Sequence, residues 1–197
     1  MNIFDQMAYR YDTPERAEIA TIVAENLKQQ MGGFKDKTAI ELGCGTGLVG
    51  LQLASCFKNI TYIDTAKNMV DIVAQKVTAL NIKNATALVL DILDETAAPL
   101  TADCIFMSQL LLHVPPYQDF LKKTFEMLAP SGTLLIVDFD KNELVPSDRV
   151  HNGFDQTQLT TLLKNIGFKN ITSTTFYSGK KIFMNQDATM FILKAEK

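Results

Sequence analysis

Glu41-Leu42-Gly43-Cys44-Gly45-Thr46-Gly47 sets three alternating glycines directly behind a short β-compatible run, Thr38-Ala39-Ile40-Glu41-Leu42. Behind the glycines, Leu48, Leu51 and Leu53 with Gly50 and Ala54 read as a closely packed helix. A glycine has no Cβ, so such a turn can adopt positive φ and lie directly against a ligand. A buried strand, a glycine turn and a helix in that order mark the place where an open α/β sheet accepts a nucleotide-like molecule.

The glycines alone leave the ligand open, because Gly45-Thr46-Gly47-Leu48-Val49-Gly50 also has the GxGxxG spacing of a dinucleotide site. The acidic residues that follow narrow the choice. Ile60-Thr61-Tyr62-Ile63 is a β-rich run ending in Asp64, and Thr86-Ala87-Leu88-Val89-Leu90 is another ending in Asp91. At βαβ spacing, each carboxylate emerges at the C-terminal edge of its own parallel strand, beside the glycine turn.

Composition bounds the remaining possibilities. The chain has 197 residues, 47% of them hydrophobic, and shows no linker, so a single domain spanning 1–197 is expected. Its net charge of −3 and scattered lysines and arginines supply no basic stripe, which argues against nucleic acid as a partner. No apolar run is long enough to cross a bilayer, and Met1 to Arg10 does not read as a signal peptide. Cys44, Cys56 and Cys104 are odd in number and lack CxxC spacing, which suits reduced thiols in a cytoplasmic protein and calls for no metal.

The ordered stretches ELGCGTG (41–47), YIDTAKNM (62–69), LVLDIL (88–93), ADCIFMS (102–108) and LAPSGTLLIVDF (128–139) resemble the class I S-adenosylmethionine-dependent methyltransferases, most clearly from Thr38 to Phe139. The resemblance implies a doubly wound, Rossmann-like α/β fold with a seven-stranded sheet in the order 3-2-1-4-5-7-6, strand 7 antiparallel and helices on both faces. It also implies S-adenosylmethionine as cofactor. Gly43, Cys44 and Gly45 would hold its methionine part, Asp64 its ribose hydroxyls, and Asp91 with Ile92 its adenine, against whose face Met69 packs. Glu41 is expected at the loop amides or, through water, at the cofactor's amino group, and Ser108 completes the set at the end of the fourth-strand motif. Two positions depart from the family pattern: Ser131 replaces a common glycine, and Leu112 a common histidine.

Within that frame, Thr13-Pro14 starts a helix that runs to Gly32-Gly33, and residues 1–33 form an N-terminal helical segment ahead of a core at 34–197. Phe4, Tyr9 and Tyr11 make this segment either a lid over the site or a piece docked on the core. Met69, Ile72, Val73, Val77 and Leu80 share one face of a second helix. Pro115-Pro116 is placed in the first turn of a third, and Thr133–Val137 forms the fifth strand. Phe139 to Gly153 reads as a loop over the strand ends. The last two strands are Ile171–Tyr177 and Ala188–Leu193, with a turn at Ser178-Gly179-Lys180.

The expected activity is methyl transfer to a small-molecule acceptor by a monomer or homodimer. His113, just past the fourth strand, either acts as general base or caps the following helix. Asp138 is a second candidate base for an oxygen acceptor. A NAD-dependent oxidoreductase and a non-catalytic cofactor-binding module are the competing readings of the same glycines and of Asp64.

Overall fold

The computed structural model describes residues 3–94, 100–145 and 150–197. Glu95 and Pro146, which the sequence places near Asp91 and in the late loop, lie outside the described residues. Seven strands form one sheet in the order β3-β2-β1-β4-β5-β7-β6. They are β1 (Thr38–Leu42), β2 (Asn59–Asp64), β3 (Ala85–Val89), β4 (Ala102–Ser108), β5 (Leu128–Phe139), β6 (Lys169–Phe183) and β7 (Gln186–Glu196). β1 pairs in parallel with both β2 and β4, which puts Ile40 at the centre of the sheet between Thr61 and Ile105. β7 runs antiparallel to β5 and β6.

The helices are α1 (Ile3–Met7), α2 (Pro14–Gln30), α3 (Lys67–Ala79), α4 (Tyr117–Met127) and α5 (Gln156–Ile166). Strand order reverses direction at β1, so right-handed crossovers place helices on opposite faces on either side of it. Covered on both faces, the central strands are continuous apolar runs: Ile105, Phe106 and Met107 of β4 and Leu134, Leu135, Ile136 and Val137 of β5 are completely buried. α2 begins as its sequence foretells, with Pro14 in the first turn and the Thr13 hydroxyl accepting from the Arg16 amide at 3.3 Å.

Three local expectations change. The run after the glycine turn is a tight 3₁₀ helix, Gly50–Cys56, in place of an α-helix. A Cβ at Gly50 would overlap the Glu41 carboxylate and come within 2.7 Å of the Tyr62 ring, so this element lies against the sheet closer than a side-chain-bearing residue permits. α4 starts only at Tyr117, with Pro116 as its N-cap. The last hairpin is longer than expected: β6 continues through Gly179 and turns at Met184-Asn185, both at positive φ, between the paired Phe183 and Gln186. A two-residue turn of that geometry follows the right-handed twist of its strands and favours asparagine, which position 185 supplies. Among the described residues, no helix is long and apolar enough to cross a membrane.

Candidate active site

β1 ends in a glycine turn held by two strands. The Cys44 amide donates to the Ile63 carbonyl of β2 at 2.9 Å, and Gly43, Gly45 and Gly47 all take positive φ. Gly43 also needs its missing Cβ for space, since one would come within 2.5 Å of the Leu110 side chain. Gly45 is different: only Tyr11, 4.0 Å away, lies within reach of a Cβ there, so the space over the turn is open.

Asp64 closes β2 beside this turn. Its Oδ2 accepts from the Gly45 amide at 2.9 Å and its Oδ1 from the Ala66 amide at 2.9 Å. Burial pushes its pKa above the ordinary aspartate value, opposed by those backbone bonds. The Thr65 amide adds a third such bond, and since an ionised carboxylate has about four acceptor sites, acceptor capacity is left for a ligand hydroxyl. The capping role and a ligand role therefore coexist on one side chain.

Two adjoining chambers open from this edge of the sheet. The first, about 360 Å³, is bordered by Gly43, Gly45, Asp64, Met69, Asp91 and Ile92. The second, about 630 Å³, is bordered by Glu41, Cys44 and Thr46 on one side and by apolar side chains of α2, β5 and β6 on the other. Ser108 and His113 border both. The cofactor residues expected from sequence, together with His113, thus border one hollow, whereas Asp138 does not. Asp91 sits two residues beyond the end of β3, where its Oδ1 accepts from the Leu93 amide at 2.9 Å.

Glu41 is 2% exposed, and its Oε2 has no hydrogen-bond partner among the described residues. Burial first, and then the charge of Asp64, raise its pKa well above the ordinary glutamate value. Burial likewise raises the Cys44 thiol, which favours its neutral form. A buried Glu41 oxygen without a partner among the described residues, an open glycine turn and a carboxylate on the chamber's border together fit a polar, nucleoside-bearing ligand.

The N-terminal segment covers the hollow. Asp5 Oδ1 accepts from the Asn68 amide at 2.9 Å, and Asn68 Nδ2 donates to the Asp5 carbonyl at 3.0 Å, tying α1 to the start of α3. Ala8 packs on Ala66 and Met69. Asp12 accepts from the Thr46 hydroxyl, and also from Lys76 at 2.7 Å. Phe4 and Tyr11 therefore form part of the site's wall.

His113 ends a short 3₁₀ turn, Leu111–His113, and meets the Phe4 ring edge-to-face at 5.1 Å between centroids. The surrounding protein desolvates its imidazole and lowers its pKa. Asp138 does not face the hollow. It is fully buried and accepts from the Phe139 amide at 2.8 Å and the Leu112 amide at 3.3 Å, so it fastens the turn that carries His113. Sequence reading overlooked Arg16, the one arginine or lysine lining either chamber among the described residues. Its guanidinium lies 4.2 Å from the Tyr11 ring centre and donates to the Tyr11 carbonyl at 2.9 Å. The available signal was its position three, four and seven residues ahead of Ile19, Ala20 and Val23, a spacing that puts all four on one helical face.

Comparison with known proteins agrees with this fold. A family model described as a methyltransferase domain matches residues 11–173. An uncharacterized methyltransferase of Schizosaccharomyces pombe is 29% identical over 150 residues, covering 66% of this chain and 53% of the relative. The (S)-coclaurine N-methyltransferase of Papaver somniferum is 30% identical over 139 residues, covering 68% of this chain and 39% of the relative. The chain thus spans about half, or less, of the length of these curated relatives. In fold it is similar to the Haemonchus contortus phosphoethanolamine N-methyltransferase 2 solved with S-adenosyl-L-methionine, with a TM-score of 0.76 and 15% identity, covering 100% of this chain and 60% of that one. The methyltransferase domain family uses S-adenosylmethionine as its cofactor. With the family model covering most of its length and the expected strand order in place, this chain belongs to the methyltransferase domain family.

Proposed function

We propose that this protein transfers the methyl group of S-adenosylmethionine to a small-molecule acceptor. The observation that carries the reading is the convergence of the glycine turn, Asp64, Asp91 and His113 on one covered hollow at the C-terminal edge of the parallel strands. When bound, the cofactor supplies a methyl group activated on a sulfonium. The chain's own residues hold and orient the two reactants. Asp64 would accept the ribose hydroxyls, Asp91 and Ile92 would meet the adenine, and Met69 would pack on its face. Gly43, Cys44 and Gly45 would admit the methionine part, with Arg16 available to its carboxylate and Glu41 to its ammonium.

Holding two reactants in line can remove about 7–11 kcal/mol of a barrier. The N-terminal segment contributes by excluding water from the hollow. His113, with its lowered pKa, is neutral near pH 7 and free to take a proton from an oxygen or nitrogen acceptor at an imidazole nitrogen. The free thiols Cys44, Cys56 and Cys104 fit a reducing, cytoplasmic setting, and a monomer or homodimer suffices for a site built within one chain.

Calorimetry tests the reading. S-adenosylmethionine and S-adenosylhomocysteine should each bind at one site per chain, and NAD should give no heat. Arg16→Ala should weaken both by about 10-fold, the loss of one charge-assisted contact. Heat from NAD alone rejects the proposal, and an unchanged affinity in Arg16→Ala rejects the role given to that residue.

A further inference from the structure

The second chamber says more about its occupant than the cofactor requires. Beyond Arg16 and Glu41, which the proposed function assigns to the charged ends of the methionine part, its described lining carries no lysine, aspartate or glutamate. The far wall is Ile19, Val23, Leu112, Phe139, Ile182 and Phe183. A charged acceptor would leave its own ion unpaired against that wall, which disfavours it.

The chamber's border also reaches the surface at unusually apolar residues. Ile3, Met7 and Met184 all line it, and they are 54%, 37% and 57% exposed. Met184 stands out twice. It occupies the first position of the β6–β7 turn at φ 49°, where asparagine, aspartate or glycine is the low-energy choice, and its side chain is not used to fill the core. A left-handed, half-exposed methionine on the rim of an apolar chamber has no structural benefit in the turn itself. Met7 comes to the same rim from the opposite side, on α1.

We propose that the acceptor is a neutral amphiphile: a compact head carrying the methylated atom beside His113, and an apolar tail running along Ile19, Phe139 and Phe183 to the rim formed by Ile3, Met7 and Met184. This rests on the methyl-transfer reading above and specifies its substrate class. The chamber's neutral wall selects against charged heads, and the rim residues cover the part of the tail that emerges. Methionine suits such a rim because its flexible, polarizable side chain packs against tails of different shape.

The test uses the full chain saturated with S-adenosylhomocysteine and titrated with para-ethylphenol, para-butylphenol and para-hexylphenol, with phosphoethanolamine as the charged comparator. Affinity should rise by about 3-fold for each added methylene that reaches the wall. Phosphoethanolamine should bind more weakly than any of the phenols. Met184→Asp, which the turn tolerates, should weaken para-hexylphenol by about 5-fold or more, leave para-ethylphenol unchanged and leave S-adenosylhomocysteine affinity intact. A flat series in a protein that still binds S-adenosylhomocysteine overturns the inference and spares the methyl-transfer reading. A protein that binds no S-adenosylhomocysteine overturns both. A flat series accompanied by co-sedimentation with phosphatidylcholine vesicles makes the rim a membrane-docking surface and also overturns the assignment.

Discussion

Asp64 accepts a hydrogen bond from the Gly45 amide at 2.9 Å, so the carboxylate that closes β2 and the glycine turn that follows β1 form one unit. The consequence is that the anion is positioned on the border of the first chamber before any ligand arrives. Preorganisation of this kind lowers the ordering cost of binding.

Asp64→Ala should therefore weaken S-adenosylhomocysteine by about 10–100-fold, since charged hydrogen bonds contribute about 1.5–3 kcal/mol each. The wild-type affinity should also fall on acidification at a pH above the ordinary aspartate range, because burial raises this pKa and only the ionised form accepts both hydroxyls. Titration calorimetry across pH measures both, and an unchanged dissociation constant in the variant contradicts the assignment.

Gly50 answers to space and not to φ. Gly50→Ala places a methyl group against the Glu41 carboxylate and the Tyr62 ring, whose hydroxyl donates to the Gly50 carbonyl at 3.0 Å. The expected loss is about 1–3 kcal/mol of stability, as for other overpacked core positions. Thermal denaturation checks it, and a melting temperature equal to wild type rules out the close packing described.

Asp138 links stability to pH. Burial pushes its pKa up to about 7 in the folded chain, opposed by the amides it accepts from. A carboxyl raised on folding favours the protonated native state, so its stabilisation is complete below the unfolded value near 4 and is lost as pH rises through about 7. The melting temperature of wild type should carry a component that falls between about pH 4 and about pH 7, and Asp138→Asn should remove that component. Parallel slopes in the two proteins contradict the titration assigned here.

His113 makes the opposite statement. Desolvation lowers its pKa, so the neutral imidazole persists below the pH at which an ordinary histidine is half protonated. An NMR titration of the imidazole nitrogens should give a midpoint below the free-histidine value. A midpoint at or above that value removes the basis for its role as a proton acceptor at neutral pH.

The features legible in the sequence were those whose cause is local or periodic. Apolar runs buried on both faces read as parallel strands, alternating glycines read as a turn at positive φ, and a carboxylate at the end of such a run needed no tertiary knowledge to be placed beside it. What stayed hidden depends on distant partners. The 3₁₀ helix at Gly50–Cys56 follows from the Glu41 and Tyr62 side chains beneath it, and periodicity cannot separate it from an α-helix. Asp138 looks like any polar strand end, yet the turn at Leu111–His113 folds over it. Arg16 lies in the first turn of a helix that buries Ala20, Val23, Ala24 and Leu27, and its guanidinium is held at the site by Tyr11, which doubles back beside it. The true hairpin turn lies at Met184-Asn185 because β6 continues past Gly179, with register shifts between Gly179 and Phe183 that sequence alone does not show.

The most direct measurement is a crystal structure with S-adenosylhomocysteine bound. Both ribose hydroxyls should lie within hydrogen-bonding distance of the Asp64 carboxylate, with the adenine between Met69 and Ile92 and the sulfur turned toward the second chamber. A ligand seated away from the glycine turn, or an Asp64 bonded only to backbone amides with the nucleoside present, would contradict the account.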